Sequence, residues 1–167
     1  MQIQQRLRQL RSALSAQVTA EERAMLGRTL SPAEARLFAR MPLFDQRHCL
    51  DVYHTLAQAG HNDPALLRAA LLHDCGKVDD DGRPIPLLYY GIFVVLRRLA
   101  PRLYQRATLS RLRPLRPFGL HAAHEERAVA LAEAAGSASE VLEILRDYAT
   151  RRTTPLTAAL HWADDLN

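Results

Sequence analysis

Residues 70–82 read ALLHDCGKVDDDG, and the way this stretch ends decides how the chain is built. Leu66, Leu67, Ala70 and Leu71 repeat at the spacing of one apolar helical face, and Leu72 extends the run. His73, Asp74 and Lys77 follow at once, and these groups need water, a partner or a metal. A run of this kind ends either in a polar surface turn or inside the protein at a functional site. His73 and Asp74 are neighbours, so on a continuing helix their side chains would point about 100° apart. Both reach one point only where the helix stops. Cys75-Gly76 is expected to supply that stop, with glycine taking a positive φ.

Outward from this stretch, helix punctuation recurs. Thr19 to Glu22, Ser31 to Glu34 and Ser137 to Glu140 each fit a capping box. Ser31, Asp63 and Thr154 are each followed by proline, which favours the first helical position. Gly27, Gly60 and Gly136 stand where helices are expected to stop. The apolar spacing predicts helices near 3–17, 20–26, 32–40, 45–59, 64–74, 87–99, 101–110, 121–135, 138–150 and 155–166. No sustained alternation of period two is present, so the expected class is all-α.

The 167 residues suffice for one domain with a real core. At 48% hydrophobic and 24% charged, the composition is that of a globular protein, not a disordered one. Cys49 and Cys75 are too few for a disulfide framework or a thiolate zinc site. The opening MQIQQRLRQLRSAL lacks the apolar region of a signal peptide, and a cytoplasmic location is expected. The net charge is +4, and every basic residue except Lys77 is arginine. Arginine abundance alone is weak evidence for nucleic acid. The single lysine falls in the opening stretch, where a compact ammonium serves differently from a planar guanidinium.

Ligand-type residues gather near the ends of several predicted helices: His48, His73 with Asp74, His124, and Asp164 with Asp165. Two imidazoles and two carboxylates suit Mn, Fe, Co, Ni, Mg or Zn better than a thiolate-seeking metal. In this order the chain resembles the HD-domain superfamily of metal-dependent phosphohydrolases. The resemblance is carried by QRHCLDVYHTLAQAG, LLRAALLHDCGKV and ALHWADDLN, which span about 45–167. It implies a helical HD-type bundle domain over 41–167, preceded by an N-terminal helical extension over 1–40 packed on it.

The resemblance further implies one divalent ion per chain, held by His48, His73, Asp74 and Asp164, with Asp165 the lesser choice. It places Asp74 and Lys77 in catalysis and Lys77 near a substrate phosphate, with Arg47 helping to neutralise it. The reaction implied is hydrolysis of a small phosphate ester, nucleotides included. In such sites the ion acidifies a water and polarises the phosphoryl centre, and nearby cations stabilise the charge that develops. Relatives with two ions add histidines from the helices between the HD pair and the last aspartate. Here His124 stands where the first would fall and His121 shares its helical face, but Tyr148 occupies the next place. Neutral tyrosine is a poor ligand, so a mononuclear site is expected, with His124 and His121 lining the pocket as phosphate or water contacts. The missing HDxxED-type extension speaks against the guanosine-tetraphosphate hydrolases of the superfamily. The rival reading is a non-catalytic HD-type module that binds metal or nucleotide in regulation.

Other polar residues invite plainer accounts. His54 and His61 are expected outside the site, and His161 is expected as a partly buried histidine beside Asp164. Both cysteines are expected to pack as small apolar groups. Asp79 to Asp81 look like a solvated turn, with one acid as a candidate proton donor or acceptor. From Gly82 to Ala123 there is no acidic residue; PIPLLYYGIFVVL is followed by seven arginines from Arg97 to Arg116. The apolar run is too short to span a bilayer. Three readings compete for 85–117: a buried helix with a solvated arginine face, which is favoured, a lid over the substrate, and a membrane-surface or nucleic-acid element.

Overall fold

The computed structural model describes residues 17–167, and the helix predicted at 3–17 lies, but for its last residue, outside the described residues. Among those residues there are nine α-helices, two short 3-10 turns and no strand; the protein is all-α. The helices are α1 (Ala20–Thr29), α2 (Pro32–Arg40), α3 (Leu43–Gln58), α4 (Pro64–Leu72), α5 (Leu87–Leu99), α6 (Pro101–Thr108), α7 (Arg116–Ala134), α8 (Ser139–Ala149) and α9 (Pro155–Leu166).

Most starts follow their caps. Thr19 and Ser31 form complete capping boxes with Glu22 and Glu34, Asp63 accepts from the Leu66 amide, and Thr154 pairs reciprocally with Thr157. The third predicted box does not form. Ser137 instead donates its hydroxyl to Glu34 Oε1 at 2.7 Å, and α8 starts at Ser139 without a side-chain cap. Glu34 is wholly buried and also takes Arg68 at 2.6 Å, so one carboxylate ties α2 to α4 and to the turn before α8. Gly60 and Gly136 end helices with positive φ as expected, whereas α1 runs on through Gly27 to Thr29. Helix α7 starts at Arg116, earlier than the periodicity suggested, because Pro117 fits its first turn.

Helix α4 is the centre of the main core. Leu66, Ala69, Ala70, Leu71 and Leu72 are all fully buried, and α2, α3, α8 and α9 pack around them. Leu26, Leu30 and Phe38 of the N-terminal helical segment belong to the same core. A second, smaller core joins Ile85, Phe93, Ala107 and Phe118, with Tyr89, Tyr90 and Tyr104 packed on it. Helix α5 buries only Phe93, which corrects the favoured expectation of a buried helix. Leu88, Val94, Val95 and Leu99 lie on its exposed surface.

After α4 the chain turns through Cys75–Lys77 against α7. The expectation for Gly76 is corrected here. Positive φ occurs at Gly60, Gly82 and Gly136 but not at Gly76. What Gly76 provides is proximity: a Cβ there would lie 2.0 Å from the His124 carbonyl oxygen and 2.8 Å from the Ala128 nitrogen. Both are backbone atoms of α7, so a methyl group would force the helix away. Gly76→Ala is therefore expected to destabilise the protein by about 3 kcal/mol or more in urea unfolding. Gly27→Ala is expected to be neutral or stabilising by about 0.5–1 kcal/mol, since nothing lies within 4 Å and its backbone is helical. Equal unfolding midpoints for the two variants would contradict this account of the α4–α7 junction.

Candidate metal centre

The ending of α4 presents His73 and Asp74 to one point. His73 is the C-cap, and Asp74 follows with φ −100° and ψ 0°, before the 3-10 turn. Helices α3 and α9 pack side by side and bring in the other two groups. His48 Nε2 lies 2.9 Å from Asp164 Oδ1 and 3.7 Å from Asp74 Oδ2. His73 Nε2 lies 3.7 Å from both Asp74 Oδ1 and Asp164 Oδ1. The four residues implied by the resemblance thus converge. His48 and Asp164 form the more open side, with side chains 24% and 28% exposed, while His73 and Asp74 form the floor.

The decisive detail is the tautomer of His73. Its Nδ1 lies 2.8 Å from the Ala70 carbonyl oxygen, so Nδ1–H donates there and Nε2 is the nitrogen left to take a metal or a proton. That Nε2 is buried and makes no hydrogen bond, although it faces two carboxylates. A lone pair pointed at anions requires a cation between them, either a proton or a metal. Burial disfavours charge on the ring, yet the nearby Asp74, Cys49 and Asp164 hold its pKa well above the ordinary value, so without a metal a proton is the cation on Nε2. Burial likewise opposes charge on Asp74, but Lys77 and the surrounding histidines keep its carboxyl well below the usual range. Asp164 is also held low against its burial by His48 and His73. Two ionised carboxylates and two imidazoles fit a divalent ion.

Ligand atoms of His48, His73 and Asp164 lie within 4.8 Å of one another, with Asp74 beside them, and a second such group is Cys49 with His73 and Asp74. Cys49 approaches Nδ1 of His73, the nitrogen already committed to Ala70. Burial also pushes the Cys49 thiol up and the Cys75 thiol up to about 12, so both pack as neutral thiols. The set of His48, His73, Asp74 and Asp164 is the better one.

Outer contacts orient these groups. The Tyr148 hydroxyl donates to Asp164 Oδ2 at 2.7 Å, leaving Oδ1 turned toward both histidines. Burial and Asp164 push the Tyr148 pKa far up, so it stays a donor. His161 stacks on Tyr148 at 4.2 Å. Lys77 Nζ donates to Asp74 Oδ2 and lies 3.8 Å from Asp45 Oδ1. His124 Nδ1 donates to the His121 carbonyl oxygen, and its Nε2 faces Asp74 Oδ1 at 3.6 Å.

Two substrate expectations are redirected. Arg47 does not extend toward the centre; it pairs with Glu22 at 2.8 Å and with Asp51 at 2.9 Å, tying α3 to α1. Burial works against the Glu22 charge, but the Thr19 amide, Arg47 and His54 bring its carboxyl down to about 2. His121 belongs to the second core, with its ring 4.3 Å from Phe93 and its Nδ1 accepting the Tyr104 hydroxyl at 2.8 Å. Burial and the neighbouring His124 lower its pKa to about 3, so it is neutral. The Asp79–Asp81 turn is not simply solvated: Asp79 is buried and pairs with Arg116 at 2.8 Å.

Sequence reasoning missed Asp45, Glu125 and Arg151. Asp45 lies one helical turn before His48, a spacing that could have marked it. It is buried, accepts the Tyr90 hydroxyl, and is pushed up to about 6 first by burial, despite Lys77. Glu125 accepts Arg151 at 2.7 Å, and burial, countered by Arg151, raises its pKa. Arg151 reaches it from a left-handed backbone, φ 57°, and also lies over the Tyr148 ring. Comparison with protein-family models, with curated proteins and with solved structures finds no match.

This geometry predicts that the purified protein binds a divalent ion and that Asp74→Ala loses it, because a ligand and half the compensating charge go together. Tyr148→Phe is expected to weaken metal affinity about tenfold by freeing Asp164. Elemental analysis and metal titration check both, and equal metal retention in the wild type and Asp74→Ala would remove the centre.

Proposed function

We propose that the protein is a metal-dependent phosphohydrolase of the HD-domain type, hydrolysing a small phosphate ester, nucleotides included, at the centre of His48, His73, Asp74 and Asp164. The observation that carries this reading is the buried His73 Nε2, which is without a hydrogen bond and aimed between Asp74 and Asp164. When bound, a divalent ion supplies an acidified water and positive charge for a phosphoryl oxygen.

The chain's own residues account for the remaining requirements. Lys77 is held at the Asp74 edge by Asp74 and Asp45, and a compact ammonium there can donate to an entering phosphoryl oxygen. Asp45 is a positioning group for Lys77, itself fixed by the Tyr90 hydroxyl. His124 has Nδ1–H committed to backbone and Nε2 turned to the site, and burial lowers its pKa, so neutral Nε2 can accept a hydrogen bond from a water there. Tyr148 fixes which oxygen of Asp164 faces inward. The charges are consistent with this chemistry: Asp45, Asp74 and Asp164 against Lys77 leave two negative charges, which a divalent ion cancels.

A panel of phosphate esters assayed with several divalent metals tests the proposal. Turnover is expected to require metal and to stop on chelation. Lys77→Met should slow turnover at least tenfold with metal content retained, Lys77→Arg should restore part of it, and His124→Ala should lower turnover without emptying the site. Metal-loaded protein that hydrolyses none of the esters would favour the non-catalytic module. Lys77→Met acting at the wild-type rate would remove the phosphate role of the lysine.

A further inference from the structure

Helices α5 and α6 and the turn after them carry an apolar surface that no other part of the described protein covers. Leu88 and Leu99 are each 76% exposed, Leu109 is 85% exposed and Leu112 is 65% exposed, with Val95 and Leu103 between them. On α5, Leu88, Val95 and Leu99 fall within about 40° of one another at about 100° per residue, so they form one stripe. The opposite side of the helix pair is already satisfied by the second core around Phe93 and Phe118. The stripe is thus an outer face, not a loosely packed inner one. Exposed leucines in this density mark an interaction surface.

The charge around the stripe identifies the partner. Arg98, Arg102, Arg106, Arg111 and Arg113 are exposed and make no ion pair among the described residues. No acidic residue occurs from Gly82 to Ala123. A partner for this face must accept leucine side chains and offer negative charge beside them. We propose that the α5–α6 face docks on an anionic lipid surface, with the leucines entering the acyl boundary and the arginines at the headgroup phosphates. No helix of the described residues is long and apolar enough to cross a membrane, so α5 and α6 lie on the bilayer.

The other occupants fit less well. A second copy of this chain would set these arginines against their own equivalents with no acid between them. Residues 1–16 contain three arginines and no acid, so they bring no complementary charge. Nucleic acid would leave the leucines without a partner. The neighbouring aromatic hydroxyls are also engaged within the chain, Tyr89 with the Pro114 carbonyl and Tyr90 with the buried Asp45.

Flotation of the full chain with vesicles of phosphatidylglycerol and phosphatidylcholine tests the proposal, independently of any hydrolase activity. Wild type is expected to float with the mixed vesicles at low salt, to be released by high salt, and to leave pure phosphatidylcholine vesicles unbound. Arg98→Gln with Arg102→Gln should lower partitioning about fivefold for each arginine removed. Leu88→Gln with Leu99→Gln should lower it further, with metal content and thermal melting unchanged. No flotation at low salt overturns the proposal, as does equal binding to pure phosphatidylcholine. Retention of an RNA or DNA duplex without flotation replaces it with a nucleic-acid surface. Dimerisation lost in the leucine variant, again without flotation, replaces it with an interface between copies.

Discussion

Helix α4 ends inside the protein, and most of the architecture follows from making that possible. A buried helix end leaves carbonyl groups without intrahelical partners, and these must be satisfied by side chains or by neighbouring backbone. His73 covers the Ala70 carbonyl with Nδ1, and Arg127 reaches from α7 to the Gly76 and Val78 carbonyls. Gly76 lets α7 come close enough for this, because no side chain stands between the turn and the helix. The Ala70 contact fixes the imidazole, and Lys77, on the turn that Gly76 allows, holds the Asp74 carboxylate. The geometry that satisfies the helix end therefore also aims Nε2 of His73 at the carboxylates.

The surrounding helices serve this junction in different ways. Helices α3 and α9 meet across His48 and Asp164, and α8 supplies Tyr148 to hold the outer oxygen of Asp164. Three carboxylates near one lysine would repel one another in a low-dielectric interior, so the arrangement favours a cation at its centre. Glu22 and Glu34 play a separate structural part. Each begins as the acid of a capping box and then takes a cation from another helix, Arg47 for Glu22 and Arg68 for Glu34.

Local chemistry was legible in the sequence; long-range partners were not. The starts at Thr19, Ser31, Asp63 and Thr154 depend on atoms within three residues, and each forms as its pattern predicts. Ser137 carried the same local signal, but the buried Glu34 lies more than a hundred positions away and claims its hydroxyl. Arg47 sits beside His48 in sequence, yet Glu22 of α1 draws it away. Asp45 gave only its spacing, because burial and the Tyr90 contact come from the α5 side of the fold. The apolar run of α5 suggested a core helix, since periodicity reports a face and not what covers it. Gly76 was legible as necessary, but for the wrong reason: the turn needs its missing side chain, not a positive φ.

The central claim is that a divalent ion belongs between His73 and the two carboxylates. Anomalous scattering from crystals grown with manganese measures this directly. The account predicts a single strong peak within about 2.0–2.3 Å of His48 Nε2, His73 Nε2, an oxygen of Asp74 and Asp164 Oδ1. A saturated crystal with no peak there, in which His73 Nε2 hydrogen-bonds directly to a carboxylate, would show that a proton fills the role and would contradict the account.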